Sequence, residues 1–307
     1  MDTNEIREPE IENDGAQLVK PEESVPETQE TQETQETPEI PETPASKEAQ
    51  AQPKPTCTGR MIAGLTLSLL PIITGILSVI SALWCEHNSK YVGEIGSILL
   101  IVAALLSVLP PLSCLFIFKK DRNTDATGKA RYFSLIPMVL SLCSAGYLLL
   151  NDIGEWGNAI LLLSLAAAIF FILKALDGRP SFKIAGAICL FLFCTAIIGM
   201  LYLDFNIELN SPFKVAVQFG AVGVMLGAIA DARATLSRIS AGWFMLLKST
   251  AASLCLLSAG LIIPAFARGF TILPQTYLTF SLLYAGYAIS AIAETIALAR
   301  SRRKINS

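Results

Sequence analysis

The chain has 307 residues, 52% of them hydrophobic and 16% charged, with a formal net charge of −3. The apolar residues crowd into one region, which excludes a pair of ordinary soluble domains, and the near balance of charge offers no footprint for nucleic acid. No loop between the apolar runs is long enough to house a soluble catalytic domain.

Residues 1–55 carry 15 acidic and 4 basic side chains, a net charge of −11. The stretch Glu27 to Thr43 is a degenerate repeat, ETQETQETQETPEIPET, with no aromatic residue and no apolar period. Such a segment buries too little surface to offset backbone entropy, so 1–55 is expected to be a disordered acidic tail. Its charge makes it a candidate docking segment for protein partners.

From Met61 onward the sequence becomes a succession of apolar runs. The first begins too far into the chain for the apolar core of a secretory signal peptide. Each run is about as long as the 17–25 helical residues that cross a bilayer. The expected spans are 61–84, 94–118, 132–150, 158–176, 184–203, 213–231, 242–265 and 276–299. Backbone groups in lipid must be satisfied within the segment, so these are helices. The fold class is therefore all-α: a polytopic bundle of eight transmembrane helices over 56–307, with the lipid bilayer as its partner.

Several span ends carry their own marks. Pro110-Pro111 must interrupt the ladder of the second span. Ser211-Pro212 suits the start of the sixth, with a hydroxyl cap and proline in the first turn. Trp84, Tyr91, Trp156, Tyr202 and Tyr277 fall near one set of ends, and Tyr132 and Trp243 near the other, as aromatic belts do. Basic residues set the orientation. Fifteen of them, from Arg60 through Lys119–Arg131, Lys174–Lys183, Arg233 and Arg238 to Arg300–Lys304, fall on one face. The other face has Lys90, Lys214 and Arg268. Both termini are thus expected in the cytoplasm of a multi-pass cell-membrane protein.

Inside the membrane, the sixth span holds small residues on one stripe: Ala216, Gly220, Gly223, Gly227, Ala230 and Ala234. Gly223 and Gly227 form a G-x-x-x-G, which lets a neighbouring helix approach closely. Three polar groups lie within spans. Lys248 and Glu294 sit at similar depths on consecutive antiparallel helices, which allows an ion pair between them. Gln218 is placed for an interhelical hydrogen bond. Intramembrane ionisable groups are functional candidates by default.

Enzyme chemistry has little to stand on. The only histidine, His87, lies in a loop beside Glu86. The seven cysteines form no C-x-x-C pair and no metal-ligand spacing. Asp177-Gly178-Arg179-Pro180 reads as a turn between spans. No catalytic residue, metal or cofactor is expected. The segment Asn210-Ser211-Pro212-Phe213-Lys214, with Gln218 and Ala232-Arg233, resembles uncharacterised polytopic membrane proteins of anaerobic Gram-positive bacteria, mainly over residues 200–300. The resemblance implies the same class and a bacterial cytoplasmic membrane, and no activity. Small-solute transport is the leading functional expectation. A membrane scaffold or regulatory subunit and an intramembrane enzyme are the alternatives.

Overall fold

A computed structural model describes residues 57–85, 93–118, 125–150, 155–176, 179–203, 205, 207–208, 211–236, 239–270 and 273–301. The expected disordered tail and its docking role lie outside these residues, as do Tyr91 and His87. The described elements are helices α1 (Cys57–Leu83), α2 (Glu94–Val108), α3 (Ser113–Ile117), α4 (Leu135–Leu150), α5 (Glu155–Ala175), α6 (Pro180–Leu203), α7 (Pro212–Thr235), α8 (Ala241–Ala267) and α9 (Gln275–Ser301). Two 3-10 segments, Pro110–Leu112 and Asp125–Ser134, join them. The expected break at Pro110-Pro111 is there: α2 ends at Val108 and the chain turns through a 3-10 step into α3.

Among the described residues, six segments are long and apolar enough to cross a membrane: Met61–Leu83, Glu94–Ile117, Pro180–Leu203, Pro212–Thr235, Ala241–Ala267 and Gln275–Arg300. The hydropathy pattern required eight. The difference falls on the expected third and fourth spans. The third opens as the 3-10 segment Asp125–Ser134 and leaves only 16 residues for α4. The fourth is α5, whose apolar stretch Ile160–Ala175 is short. A 3-10 segment rises about 2.0 Å per residue against 1.5 Å for an α-helix, so a span that opens this way needs fewer α-helical residues. Both helices belong to the bundle: α4 packs on α5 and α9, and α5 on α6.

The central helix is α8, 72% buried along its apolar window, whereas Glu94–Ile117 is 22% buried and lies at the rim. Around α8 stand α1, α7 and α9. Hydroxyls and carbonyls tie these helices together. Ser249 Oγ donates to Leu67 O at 3.0 Å, Ser81 Oγ to Gly96 O at 2.8 Å, and Thr74 Oγ1 to Ser253 O at 3.4 Å. Other hydroxyls, such as Ser68, Ser107 and Ser141, donate to the carbonyl four residues back in their own helix. Either arrangement keeps a polar atom satisfied where water is absent.

The ends of the helices reveal three departures from expectation. Ser211 stands at the N-cap of α7 with Pro212 in the first turn, but its side chain makes no cap bond. A hydroxyl cap occurs instead on α8, where Trp243 N donates to Ser240 Oγ at 3.4 Å. Trp84, Tyr132, Tyr202 and Trp243 are exposed near helix ends, but Tyr277 is 1% exposed and belongs to the core, not the belt. Arg268, read as an outer-loop charge, donates to Ala82 O at 2.8 Å, Leu83 O at 3.3 Å and Cys85 O at 3.0 Å. It caps the carbonyl end of α1, where a cation also meets the negative pole of the helix.

The small stripe of α7 faces α8 and α9. A Cβ at Gly223 would stand 2.8 Å from Ala251 O, so the backbones of α7 and α8 touch there. A Cβ at Gly220 would collide with the Tyr284 ring, and one at Gly227 with the Tyr287 hydroxyl. Only Gly223 therefore serves close approach of helix to helix. Gly220 and Gly227 make room for two tyrosines of α9. Gly223→Leu should lower stability by about 1–3 kcal/mol, since a helix backbone cannot rotate out of the way as a side chain can. Thermal melting in detergent checks this, and an unchanged profile would mean that the stripe faces lipid.

Candidate functional site

Four helices end or begin at the same end of the bundle, and each brings one charge. Lys174 lies in the last turn of α5 and Asp231 in the last turns of α7. Lys248 follows the start of α8 by seven residues and Glu294 precedes the end of α9 by seven, which is about 10 Å of helix rise in each case. The expected pair Lys248–Glu294 forms, at 3.0 Å between Nζ and Oε2. It is only one side of a larger figure. Lys248 Nζ also lies 2.7 Å from Asp231 Oδ1. Lys174 Nζ donates to both Asp231 oxygens, at 3.1 and 3.0 Å, and pairs with Glu294 Oε1.

The result is a ring of alternating sign: Lys174, Asp231, Lys248, Glu294. Every charge touches both of its opposites, and the sum is zero. Lys248 and Glu294 are sealed, with side chains 0% and 2% exposed, while Lys174 and Asp231 are 14% and 12% exposed. The third proton of Lys248 has a partner as well: Nζ donates to Tyr287 Oη at 3.3 Å. The same ammonium lies 5.4 Å from the Tyr287 ring centroid and 5.7 Å from that of Phe244. An ammonium bounded by two carboxylates, a phenol and two ring faces has its charge answered on every side.

Local sequence explains the placement. Asp231 follows Gly227 by four residues, so it continues the stripe that faces α8 and α9. Gly227 leaves the space in which the Tyr287 hydroxyl reaches Lys248. Lys174 follows Phe170 and Phe171, both buried, and Phe171 packs on Tyr287 with ring centroids 6.0 Å apart. The expected spans 158–176 and 213–231 already made Lys174 and Asp231 helical; what the structure adds is that both complete the ring. The signal for Asp231 was its register with the glycine stripe.

The remaining candidates lie elsewhere. Gln218 is half-buried on α7, about 20 Å of helix rise from Asp231, and takes no part in the ring. Gly220 and Gly223 flank the seam between α7, α8 and α9. Lys214, read as an outer-face charge, is fully buried and donates to Ile207 O at 3.0 Å. Among the described residues, no three or more His, Cys, Asp or Glu come together as a metal site. Six described cysteines are free thiols.

Comparison of the chain with family models, curated proteins and solved structures returns no match.

The geometry of the ring sets the cost of its disruption. Removing one charge leaves its two neighbours in low dielectric with an uncompensated charge, a loss of about 3–5 kcal/mol for a buried pair. Lys248→Met and Glu294→Met should each destabilise strongly. The double variant should be milder than either, because Lys174 and Asp231 remain as a neutral pair. A double-mutant cycle by thermal melting checks this. Additive effects would mean that the two side chains act independently.

Proposed function

We propose that the protein is an eight-span protein of the cell membrane that moves a small solute, with the charged ring as the element about which its helices exchange partners. The observation that carries this reading is the closure of the ring. Four alternating charges can be paired completely in two ways. In one, Lys174 keeps Asp231 and Lys248 keeps Glu294. In the other, Lys174 keeps Glu294 and Lys248 keeps Asp231. Moving α5 and α7 away from α8 and α9 breaks two contacts and leaves the first pairing. Moving α5 and α9 away from α7 and α8 leaves the second. Neither motion strands a charge. Alternating access needs rigid groups of helices that rock against each other, and such a ring lowers the electrostatic cost of doing so.

General physics supports the same direction. A buried ion cluster stabilises no more than well-packed apolar residues would. Ionisable groups within spans mark substrate and ion paths. The fifteen basic residues on one face support cytoplasmic termini by the positive-inside rule. The ring then sits near the cytoplasmic end. A second reading, a membrane scaffold or regulatory subunit, is favoured by a different observation: a large apolar groove is lined by α1, α8 and α9 and by no member of the ring.

Proteoliposomes separate the two. A panel of labelled amino acids, sugars, carboxylates and amines should include one class that enters saturably. That uptake should vanish in the Lys248→Met/Glu294→Met variant while the protein stays folded. Entry of every solute at the rate of protein-free vesicles would favour the scaffold. Orientation is tested separately. A thiol at Glu208→Cys should react with a membrane-impermeant reagent from outside whole cells, and one at Arg233→Cys should not. The reverse pattern would invert the topology.

A further inference from the structure

A groove of about 1070 Å³ runs along the bundle between α1, α8 and α9, with Ala130 and Phe133 of the 3-10 segment Asp125–Ser134 in its lining. Among the described residues its lining is apolar except for Arg300, which stands in the last turn of α9 and is exposed. Glycine and alanine, among them Gly75, Gly260 and Ala293, alternate in the lining with isoleucines such as Ile76 and Ile289. The two backbones meet there: a Cβ at Gly260 would stand 2.7 Å from Gly75 O. From Ala285 to Arg300 the groove follows α9 for about 22 Å. That exceeds the roughly 15 Å that one leaflet contributes to the hydrocarbon core.

We infer that this groove is a binding site for one phospholipid of net negative headgroup, its acyl chain lying along α9 and its phosphate on Arg300. Three features point to that occupant. The volume lies just above the roughly 300–1,000 Å³ range of ligand sites. The trough is apolar along more than the depth of one leaflet, so an acyl chain can lie along it. Among the described residues its one lining cation lies at the end where a headgroup would be, and a guanidinium grips phosphate oxygens in a bidentate manner. A zwitterionic headgroup carries its own cation beside the phosphate, which competes with Arg300, so an acidic lipid is preferred. The inference does not depend on transport. A lipid held there would join α1 to the helices that carry Lys248 and Glu294.

Native mass spectrometry of the detergent-purified full chain provides the test. Phosphatidylglycerol and phosphatidylcholine with identical chains are added in equal amounts. The wild type should retain phosphatidylglycerol about fivefold better, the value of one cation near an anionic lipid surface. Arg300→Gln should abolish the preference and keep some binding of both lipids. Ala293→Trp, which fills the trough, should reduce both adducts, and a melting curve checks that it folds. Equal retention of both lipids by the wild type would overturn the inference, as would an Arg300→Gln variant that keeps the preference. So would a groove covered by a second copy of the chain, seen as a dimer that sheds no lipid on Ala293→Trp.

Discussion

The need to neutralise charge in a dry interior organises this bundle. Two ammonium and two carboxylate groups meet where α5, α7, α8 and α9 converge, and each would be costly alone in low dielectric. Alternation solves the problem for all four at once. It also opposes the movement of any one of the four helices alone, because that would strand its charge. Gly227 answers the same demand. Gly227 is small because the Tyr287 hydroxyl must pass it to reach Lys248, and Gly220 is small because Tyr284 lies against it.

Away from the ring the chain uses weaker devices suited to lipid. Hydroxyls bond to carbonyls of neighbouring helices, as Ser249 does to Leu67 and Ser81 to Gly96. Arg268 brings a full charge to the opposite end of the bundle and spends it on the orphan carbonyls that close α1. Ion pairing at one end and helix capping at the other thus bracket an interior of apolar contacts. Between them α8 is surrounded, which is why its window is buried while the window of Glu94–Ile117 is turned outward. Asp231 and Glu294 share their partners, since each lysine meets both.

Hydropathy made the class legible because a bilayer demands long apolar helices, and six appear where they were expected. The third and fourth spans were less legible. Apolar content does not reveal that Ala130–Ser134 adopts 3-10 geometry. Lys248 and Glu294 stood out because apolar residues surround them on both sides. Lys174 and Asp231 did not, because they lie within a turn or two of span ends, where charge is ordinary and burial depends on which way the helix faces. Tyr287 was hidden for another reason: a tyrosine in a span reads as core or belt until a partner for its hydroxyl is seen. The stripe Gly220–Gly227–Asp231 contained the missing clue, since a small-residue seam that ends in an acid directs that acid at the helices it packs against.

Neutralisation in pairs tests the ring most directly. Its four sides and two diagonals predict different outcomes for equal numbers of substitutions. Asp231→Asn with Lys174→Met removes one side and leaves Lys248 paired with Glu294. Asp231→Asn with Glu294→Gln removes a diagonal and leaves two lysines facing each other without an acid. Thermal melting of both double variants in the same detergent decides the matter. The diagonal variant should be much the less stable, by more than the roughly 3–5 kcal/mol cost of one uncompensated buried charge. Equal stability of the side and diagonal variants would show that the four charges do not form one ring.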